Sequence, residues 1–576
     1  MKRSLANLED SVHDVLVIGG GIYGACIAWE ATSRGLSAAL VDRGDFGGAT
    51  SDNSLSLVHG GLRYLQHLGF SRMRSSARER RFWLNNAPHL VRPLKFVMPL
   101  YGHLTRGPEA LLAAVKIHEA MTRDCERGVP SENRIPPGCV VSKSKCLALV
   151  PGIREAGLTG AAIWYEGQVQ DSHRLLLEVV NAAVLGGATV ANYVAVEDGI
   201  VREGRVEGVR ARDLMSQREI EIRARVIVNA TGPWIGSLFD RLTGCGATKL
   251  FGELSKGMNL VTRHFFDGYA VGVASRRASD SLIPRGGRLY FITPWRNCAV
   301  IGTSHLPHPG KPDDYLFTDD EIVGFLNEIN DAYPPARLTR DDVLYCYSGL
   351  TPAHEGTVRG ELKRARRGAI LDHEKVHGLK GLVSVLGVKF TTARLAGEQA
   401  VDIVFDKLGE KLVPSVTATT PLPGAKEFRS ISEWQRDAAA RLGSAADKVA
   451  VLELLEAHGS AYGCVIERGK IGPDADFEEI WRGRCRYAVR EEMAMRLSDI
   501  LFRRTDVAVR GEMTAPMLAW SADMMAEEMG WSEQRKQDEL DDVRDLIGRH
   551  RGVPTFDEPP ETTESHGDRV LRPSTA

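Results

Sequence analysis

The sequence predicts an α/β (α+β) architecture: a Rossmann-like domain interleaved with an antiparallel-sheet domain, then a mostly helical C-terminal domain. Three observations predict it. Residues 14–42 read strand, glycine turn, helix, strand. Residues 249–350 hold several short β-like runs. Residues 427–549 have helical composition.

The opening unit is DVLVIGGGIYGACIAWEATSRGLSAALVD. An apolar run from Val15 to Ile18 meets Gly19, Gly21 and Gly24, and a second apolar run, 36–41, ends at Asp42. Gly19 lets the chain turn sharply. Gly21 lets a pyrophosphate approach a helix N-terminus, where free N–H groups and the dipole favour an anion, and Gly24 lets helix and strand pack closely. Asp42, eighteen residues past Gly24, stands where an acid accepts hydrogen bonds from an adenosine ribose. The unit predicts an adenine dinucleotide and leaves FAD and NAD both open.

Residues 44–56 (GDFGGATSDNSLS) form a glycine- and hydroxyl-rich loop whose N–H groups suit an anion or a ring system; Thr50, Ser51 and Ser54 are its candidate contacts. The loop leads into His59-Gly60-Gly61-Leu62-Arg63-Tyr64. Residues 75–86 have helical composition and 95–101 read as a strand. Residues 108–123 fit a helix with proline in its first turn and Leu111, Leu112, Val115 and Met121 on an apolar face. Two readings stand for it: a helix packed on its own domain, or a surface that dips into a bilayer beside Lys116, His118 and Arg123.

From Trp164 the pattern is strand, a helix capped by Asp171 and Ser172 and ending at Gly186-Gly187, then another strand. Residues 191–225 read as a β-meander that closes on a buried run and Thr231-Gly232, a return to the nucleotide-binding sheet. The runs KGMNLVT, LYFITPW, CAVIGTS and VLYCYSG predict the antiparallel sheet. Residues 364–367 are a basic cluster, and 381–392 read strand, glycine turn, helix start, with the helix continuing over 393–408. The Pro- and Thr-rich stretch 413–426 marks a domain boundary. The expected division is an arm over 1–13, the main region over 14–420, a helical domain over 427–549 with prominent helices at 487–503 and 515–547, and a disordered tail over 551–576.

With 576 residues, 43% hydrophobic content and a formal net charge of −2, the chain has ordinary globular composition and lacks the basic excess of a nucleic-acid binder. No run approaches the roughly 18–20 apolar residues of a spanning helix. The N-terminus has no apolar core of a secretory signal. Nine scattered cysteines without a CxxC pair read as reduced thiols, so a cytoplasmic enzyme without a metal site is expected.

Several stretches, in order over residues 14–505, resemble the FAD-dependent, quinone-linked glycerol-3-phosphate dehydrogenase family: GGGIYGACIAWEATSRGLSAALVDRGD, ATSDNSLSLVHGGLRYLQ, VNATGPW, FITPW with VIGTS, YSG, SVLGVKFTTAR and YAVREEMAMRLSDILFRRT. HGGLRYL and the C-terminal motif are the specific ones, since amino-acid-oxidase-like flavoproteins share the glycine turn. The resemblance implies an FAD domain, an interleaved substrate domain and a helical cap. It implies FAD, with Thr231, Gly232, Gly387, Lys389 and Thr391 completing the flavin site, where a helix N-terminus stabilises negative charge on the reduced ring. It implies oxidation of a secondary alcohol of a polyol phosphate, with electrons passed to a quinone. Arg63, with Tyr64 beside it, is the first phosphate partner because a phosphate needs fork-shaped cations. Arg367 and Lys389 fall where the family places further substrate-contacting cations, and His59 orients the flavin or joins the proton transfer. Peripheral contact with the inner face of the cytoplasmic membrane, and a homodimer, are compatible with the same resemblance.

The chain also departs from the family. It has Thr351 where relatives read SGVRP, Ser304-His305 after IGT, Ser56 in place of a basic residue, and Val388 in place of a glycine. Losing an arginine removes bidentate donors, so either Arg285, Arg288, Arg366 or another cation compensates, or the substrate differs. Thr351 and His305 therefore join the candidate substrate contacts. Erythritol 4-phosphate, a flavoprotein oxidase using O₂, and a flavin-binding protein without activity are the competing readings.

Overall fold

The computed structural model describes residues 1–104, 107–126, 128–244, 253–275, 288–358, 361–364, 368–428 and 430–551. The first sheet has the order Ala369–Asp372, Leu382–Leu386, Glu219–Asn229, Val12–Ile18, Ala38–Val41, Thr189–Ala191. Its neighbours from Leu382–Leu386 to Thr189–Ala191 are all parallel. Val12–Ile18 is central, and Val15, Leu16 and Val17 are fully buried, which fits a continuous apolar run covered on both faces. On one face lie the helices Ile22–Ser33, Ser172–Leu185 and Ala393–Leu408, packed through Ala28, Ala183 and Val404. On the other lie the strands Val194–Arg202 and Arg205–Asp213, an antiparallel meander continuing from the start of Glu219–Asn229, and the helix Ile235–Thr243, packed through Val206, Ile222 and Phe239.

The second sheet has ten strands and is antiparallel except where Tyr269–Ala274 runs parallel to Val91–Tyr101. The expected runs lie in the strands Leu254–Arg263, Leu289–Trp295, Cys298–His308 and Val343–Val358. Val91–Tyr101 and Leu158–Val169 join them from the first third of the chain, so the two sheets alternate along the sequence. One face packs on the helix Asp319–Ala332. The other, through Val261, Trp295, Val300, Tyr345 and Tyr347, packs on the C-terminal helices.

Three expectations need correction. The helix foreseen at 487–503 is broken: Phe477–Glu491 ends, and Leu497–Asp499 starts anew because the Asp499 carboxylate accepts the N–H groups of Met495 and Arg496 at 2.8 and 3.0 Å. The helix foreseen at 515–547 is two, Ala515–Met529 and Glu533–Arg551, separated at Gly530, whose φ is +66°. In Pro108–Thr122 the inward face is Leu111, Val115 and Thr122, while Leu112 and Ile117 are exposed. Residues 448–469, three consecutive helical pieces, are long and apolar enough to span a bilayer, but half of that stretch is buried, with Leu454, Leu455 and Val465 in the core of the C-terminal domain. The tail foreseen over 551–576 lies outside the described residues beyond Arg551.

Candidate active site

The nucleotide end is built from backbone. Gly19 turns the chain with φ of +106°, and a Cβ on Gly24 would overlap the Gly19 carbonyl oxygen. Only glycine permits that approach. The Thr231-Gly232 turn presses on the same place, since a Cβ on Gly19 would stand 2.7 Å from the Ala230 oxygen. Thr231 is fixed by its hydroxyl, which donates to Asn229 at 2.7 Å, and Gly232 has φ of +56°. Asp42 accepts the N–H groups of Gly20 at 2.6 Å and Gly44 at 2.8 Å. Burial pushes its carboxyl up to about 6, with those two N–H groups opposing the shift. The hydroxyl loop docks next to it: Ser51 accepts the Ile22 N–H at 2.9 Å, Ser54 accepts the Ser56 N–H at 3.2 Å, and Thr50 donates to the Leu350 carbonyl at 2.9 Å. A glycine cradle, an acid at the second strand end and a helix that starts after Gly21 suit the ADP part of FAD.

The chemical end is built from side chains. His59-Gly60-Gly61 meets the turn after Leu382–Leu386: the His59 N–H donates to Thr391 Oγ1 at 3.2 Å, and Thr391 is itself buried, its carbonyl held by Trp83 Nε1 at 3.0 Å. From the same turn the Lys389 ammonium donates to the Tyr64 hydroxyl and stands 4.4 Å from the Tyr64 ring centroid. The Arg72 guanidinium lies 5.2 Å from that ring. His59 meets Tyr64 edge-on at 5.8 Å. Arg63 is exposed beside them. Burial pushes His59 down to about 4, with Glu166 opposing and Lys389 and Arg63 adding to the shift. The imidazole is therefore neutral at pH 7 and a weak proton acceptor, which fits an orienting role better than storage of a proton. Burial raises the Tyr64 phenol, so it remains protonated.

Both backbone polar groups of Gly60 are held. Its N–H donates to Glu166 Oε2 at 2.5 Å, and its carbonyl lies 2.9 Å from His118 Nε2. Glu166 in turn pairs with the buried Arg80 at 3.1 Å. Behind this loop lies a cavity of about 470 Å³ lined by Leu62, Val115, His118, Pro137 and Trp164.

Thr351 and His305 form a second cluster. They lie on strands either side of Leu254–Arg263, and both reach Ser255: the Thr351 hydroxyl donates to the Ser255 carbonyl at 3.5 Å, and His305 Nδ1 lies 3.3 Å from the Ser255 hydroxyl. Arg367, Arg366 and Arg285 lie outside the described residues. Arg288 lies beside the Tyr290 hydroxyl, which itself donates to Glu328 on the Asp319–Ala332 helix. Ser56 is buried and pairs with the Ser172 hydroxyl at 3.1 Å, so position 56 faces a helix N-terminus rather than an open site.

Sequence reasoning passed over several residues. Tyr23 sits inside the glycine motif, yet its phenol reaches the Lys389 backbone. Glu166, within WYEGQVQDS, offered the signal of an acid in a buried strand. Asn53 ties the hydroxyl loop to the second sheet by accepting the Ser348 N–H at 2.8 Å. The C-terminal motif FRRT acts at a distance: Arg503 binds Asp45 at 2.6 Å, and Arg504 binds both Asp45 oxygens. Burial opposes ionisation of Asp45, but the two guanidiniums hold its carboxyl well below the usual range.

Comparison with known proteins agrees with this geometry. The FAD dependent oxidoreductase model matches residues 14–403, and the C-terminal domain of alpha-glycerophosphate oxidase matches residues 415–536. A glycerol-3-phosphate dehydrogenase of Synechocystis sp. is 30% identical over 92% of this chain and 96% of its own length. One from Mycobacterium leprae is 30% identical over 92% of this chain and 88% of its own. The structure of the Bacillus halodurans glycerol-3-phosphate dehydrogenase, complexed with FAD, superimposes with a TM-score of 0.74 at 26% identity, covering 96% of this chain and 98% of that one. This chain is an FAD-dependent oxidoreductase, and it belongs to the glycerol-3-phosphate dehydrogenase family of flavoenzymes.

Proposed function

We propose that the protein oxidises the secondary alcohol of glycerol 3-phosphate to the ketone and that the electrons pass on to a quinone. The observation that carries this is the Lys389 ammonium on the Tyr64 hydroxyl, with the Arg63 guanidinium exposed in the same loop. Bound FAD supplies the hydride acceptor. The chain supplies the rest. Arg63 and Lys389 hold the phosphate and the reacting end of the substrate through charge-assisted hydrogen bonds. As hydride leaves carbon, the hydroxyl proton passes by way of neutral His59 to water, and Tyr64, kept as a phenol, donates to the forming carbonyl oxygen. Neutral His59 orients ring and substrate, and the residues holding Gly60 keep the loop in register.

A longer polyol phosphate such as erythritol 4-phosphate is the second reading, carried by Thr351 and His305 on either side of Ser255. The acceptor reading draws support from the cavity behind Gly60, where Leu62, Val115, Ile135 and Trp164 offer an apolar wall beside the polar Lys116 and Glu119. Leu112 and Ile117, exposed on the helix that also lines the cavity, support peripheral attachment to the inner face of the cytoplasmic membrane.

Anaerobic bleaching of the purified yellow protein tests the proposal. Glycerol 3-phosphate is expected to bleach the flavin at lower concentration than erythritol 4-phosphate, and unphosphorylated polyols not at all. The reverse order makes the longer phosphate the substrate, and bleaching by no phosphorylated polyol overturns the proposal. Reoxidation by air faster than by a quinone replaces the quinone with O₂. Co-sedimentation with vesicles containing anionic lipid, reversed by high salt, tests the membrane contact.

A further inference from the structure

We propose that Tyr23 is a positioning residue that sets the Lys389 ammonium for substrate, linking the nucleotide-binding helix to the chemical end of the site. The inference rests on the reading of Lys389 as a substrate cation. Tyr23 lies in the first turn of Ile22–Ser33, two residues after Gly21. Its hydroxyl donates to the Lys389 carbonyl at 2.8 Å and accepts the N–H groups of Val388 and Lys389, both at 3.2 Å. A phenol has one donor and two acceptor sites, and all three are used on one turn of chain. That turn lies between the strand that ends at Leu386 and the helix that begins at Ala393, and its backbone polar groups need partners of their own. The ring seats on Gly387, where a Cβ would overlap it.

The consequence runs outward along one side chain. Fixing both sides of the Lys389 peptide fixes its Cα, and from there the ammonium reaches the Tyr64 hydroxyl in the His59–Tyr64 loop. The hydrogen bonds of the Tyr23 hydroxyl end on Val388 and Lys389 and not on that loop. It acts through Lys389. Val388 fits the same device, since the residue that departs from the family pattern contributes its N–H and not its side chain to the contact.

A double-mutant cycle on the FAD-loaded enzyme tests this, read as the dissociation constant of dihydroxyacetone phosphate from the flavin difference spectrum. FAD content and melting temperature are followed alongside. Tyr23→Phe keeps the ring and removes the three hydrogen bonds. In the otherwise unaltered protein it is expected to weaken binding about fivefold to tenfold with FAD content unchanged, and in the Lys389→Met background less than about twofold. Equal factors in both backgrounds, no change in the unaltered protein, or loss of FAD as the sole effect overturns the proposal. Unchanged binding in Lys389→Met alone overturns the reading of Lys389, and the coupling with it. An effect of Lys389→Met with an undiminished Tyr23→Phe effect overturns the coupling alone. If Tyr23→Phe does not fold, Tyr23→His, which keeps a ring and a polar atom, is read in the same way.

Discussion

The two ends of the cofactor site are built on different principles. The nucleotide end spans residues 19–42, and its working groups are backbone N–H donors, a helix N-terminus and one carboxylate. The chemical end gathers residues 59–64, 166 and 389, with His305 and Thr351 clustered at Ser255, and its working groups are side chains. A backbone-built end depends on the absence of side chains, so its sequence can vary only where the chain has room. A side-chain-built end can change one contact at a time. The departures at Thr351, Ser304, His305 and Val388 all fall outside the glycine-built end.

The comparison breaks first at Gly24. Gly24→Val places carbon atoms into the Gly19 carbonyl and is expected to remove bound FAD and cost about 3 kcal/mol or more, read from the flavin-to-protein absorbance ratio and a urea melt. A variant that keeps its FAD shows that the first end is not backbone-limited. At the other end, Lys389→Met should keep FAD yet lower kcat/KM for the phosphorylated substrate about 100-fold, or about 2.7 kcal/mol. Arg63→Ala, at an exposed position, should raise KM about tenfold with kcat nearly unchanged; an unaltered KM removes Arg63 from phosphate binding. Thr351→Arg restores a cation beside Ser255 and should shift the kcat/KM ratio toward glycerol 3-phosphate over erythritol 4-phosphate by about fivefold. A constant ratio places Thr351 outside the substrate site.

The smallest effect is one of pH. His59 is held at about 4 against 6.5 for a free imidazole, so between those values the unfolded chain binds a proton that the folded one does not. Its contribution to stability is intact above pH 6.5 and is lost progressively as pH falls toward 4. His59→Asn lacks this penalty, so the melting-temperature gap between variant and parent should narrow from pH 7.5 to pH 5. A gap that widens on acidification contradicts the buried neutral imidazole.

Legibility in the sequence followed the same division. The first sheet could be read from residues 14–42 because strand, turn, helix and acid are contiguous and each leaves a pattern of period or composition. The alternation of the two sheets was visible at Thr231-Gly232 and at 381–392, where glycine turns follow apolar runs. The site was legible only as motifs. Lys389, Tyr64 and Thr391 do meet, but nothing in periodicity says that the Lys389 ammonium ends on Tyr64, or that His118 and Glu166 hold Gly60 from opposite sides. Such contacts depend on packing between segments more than 50 residues apart. The false continuity at 487–503 has a local cause: an apolar helical period ran through Met495 and Arg496, where Asp499 captures two N–H groups and restarts the helix.

The salt bridges of Arg503 and Arg504 to Asp45 carry a consequence for the order in which the molecule is made. Asp45 follows Asp42 by three residues, and besides Asn192 its partners are these two arginines, 458 and 459 residues further on. At roughly 5–20 residues per second, a ribosome needs from about half a minute to a minute and a half to cover that distance. Through that interval the cofactor loop exists without its final restraint, and the glycine motif, though complete, has no lock. Retention of FAD is thus expected to depend on the finished chain. Arg504→Met, remote from every motif residue, is expected to release the cofactor more readily than the parent on gel filtration, with the glycine turn itself untouched.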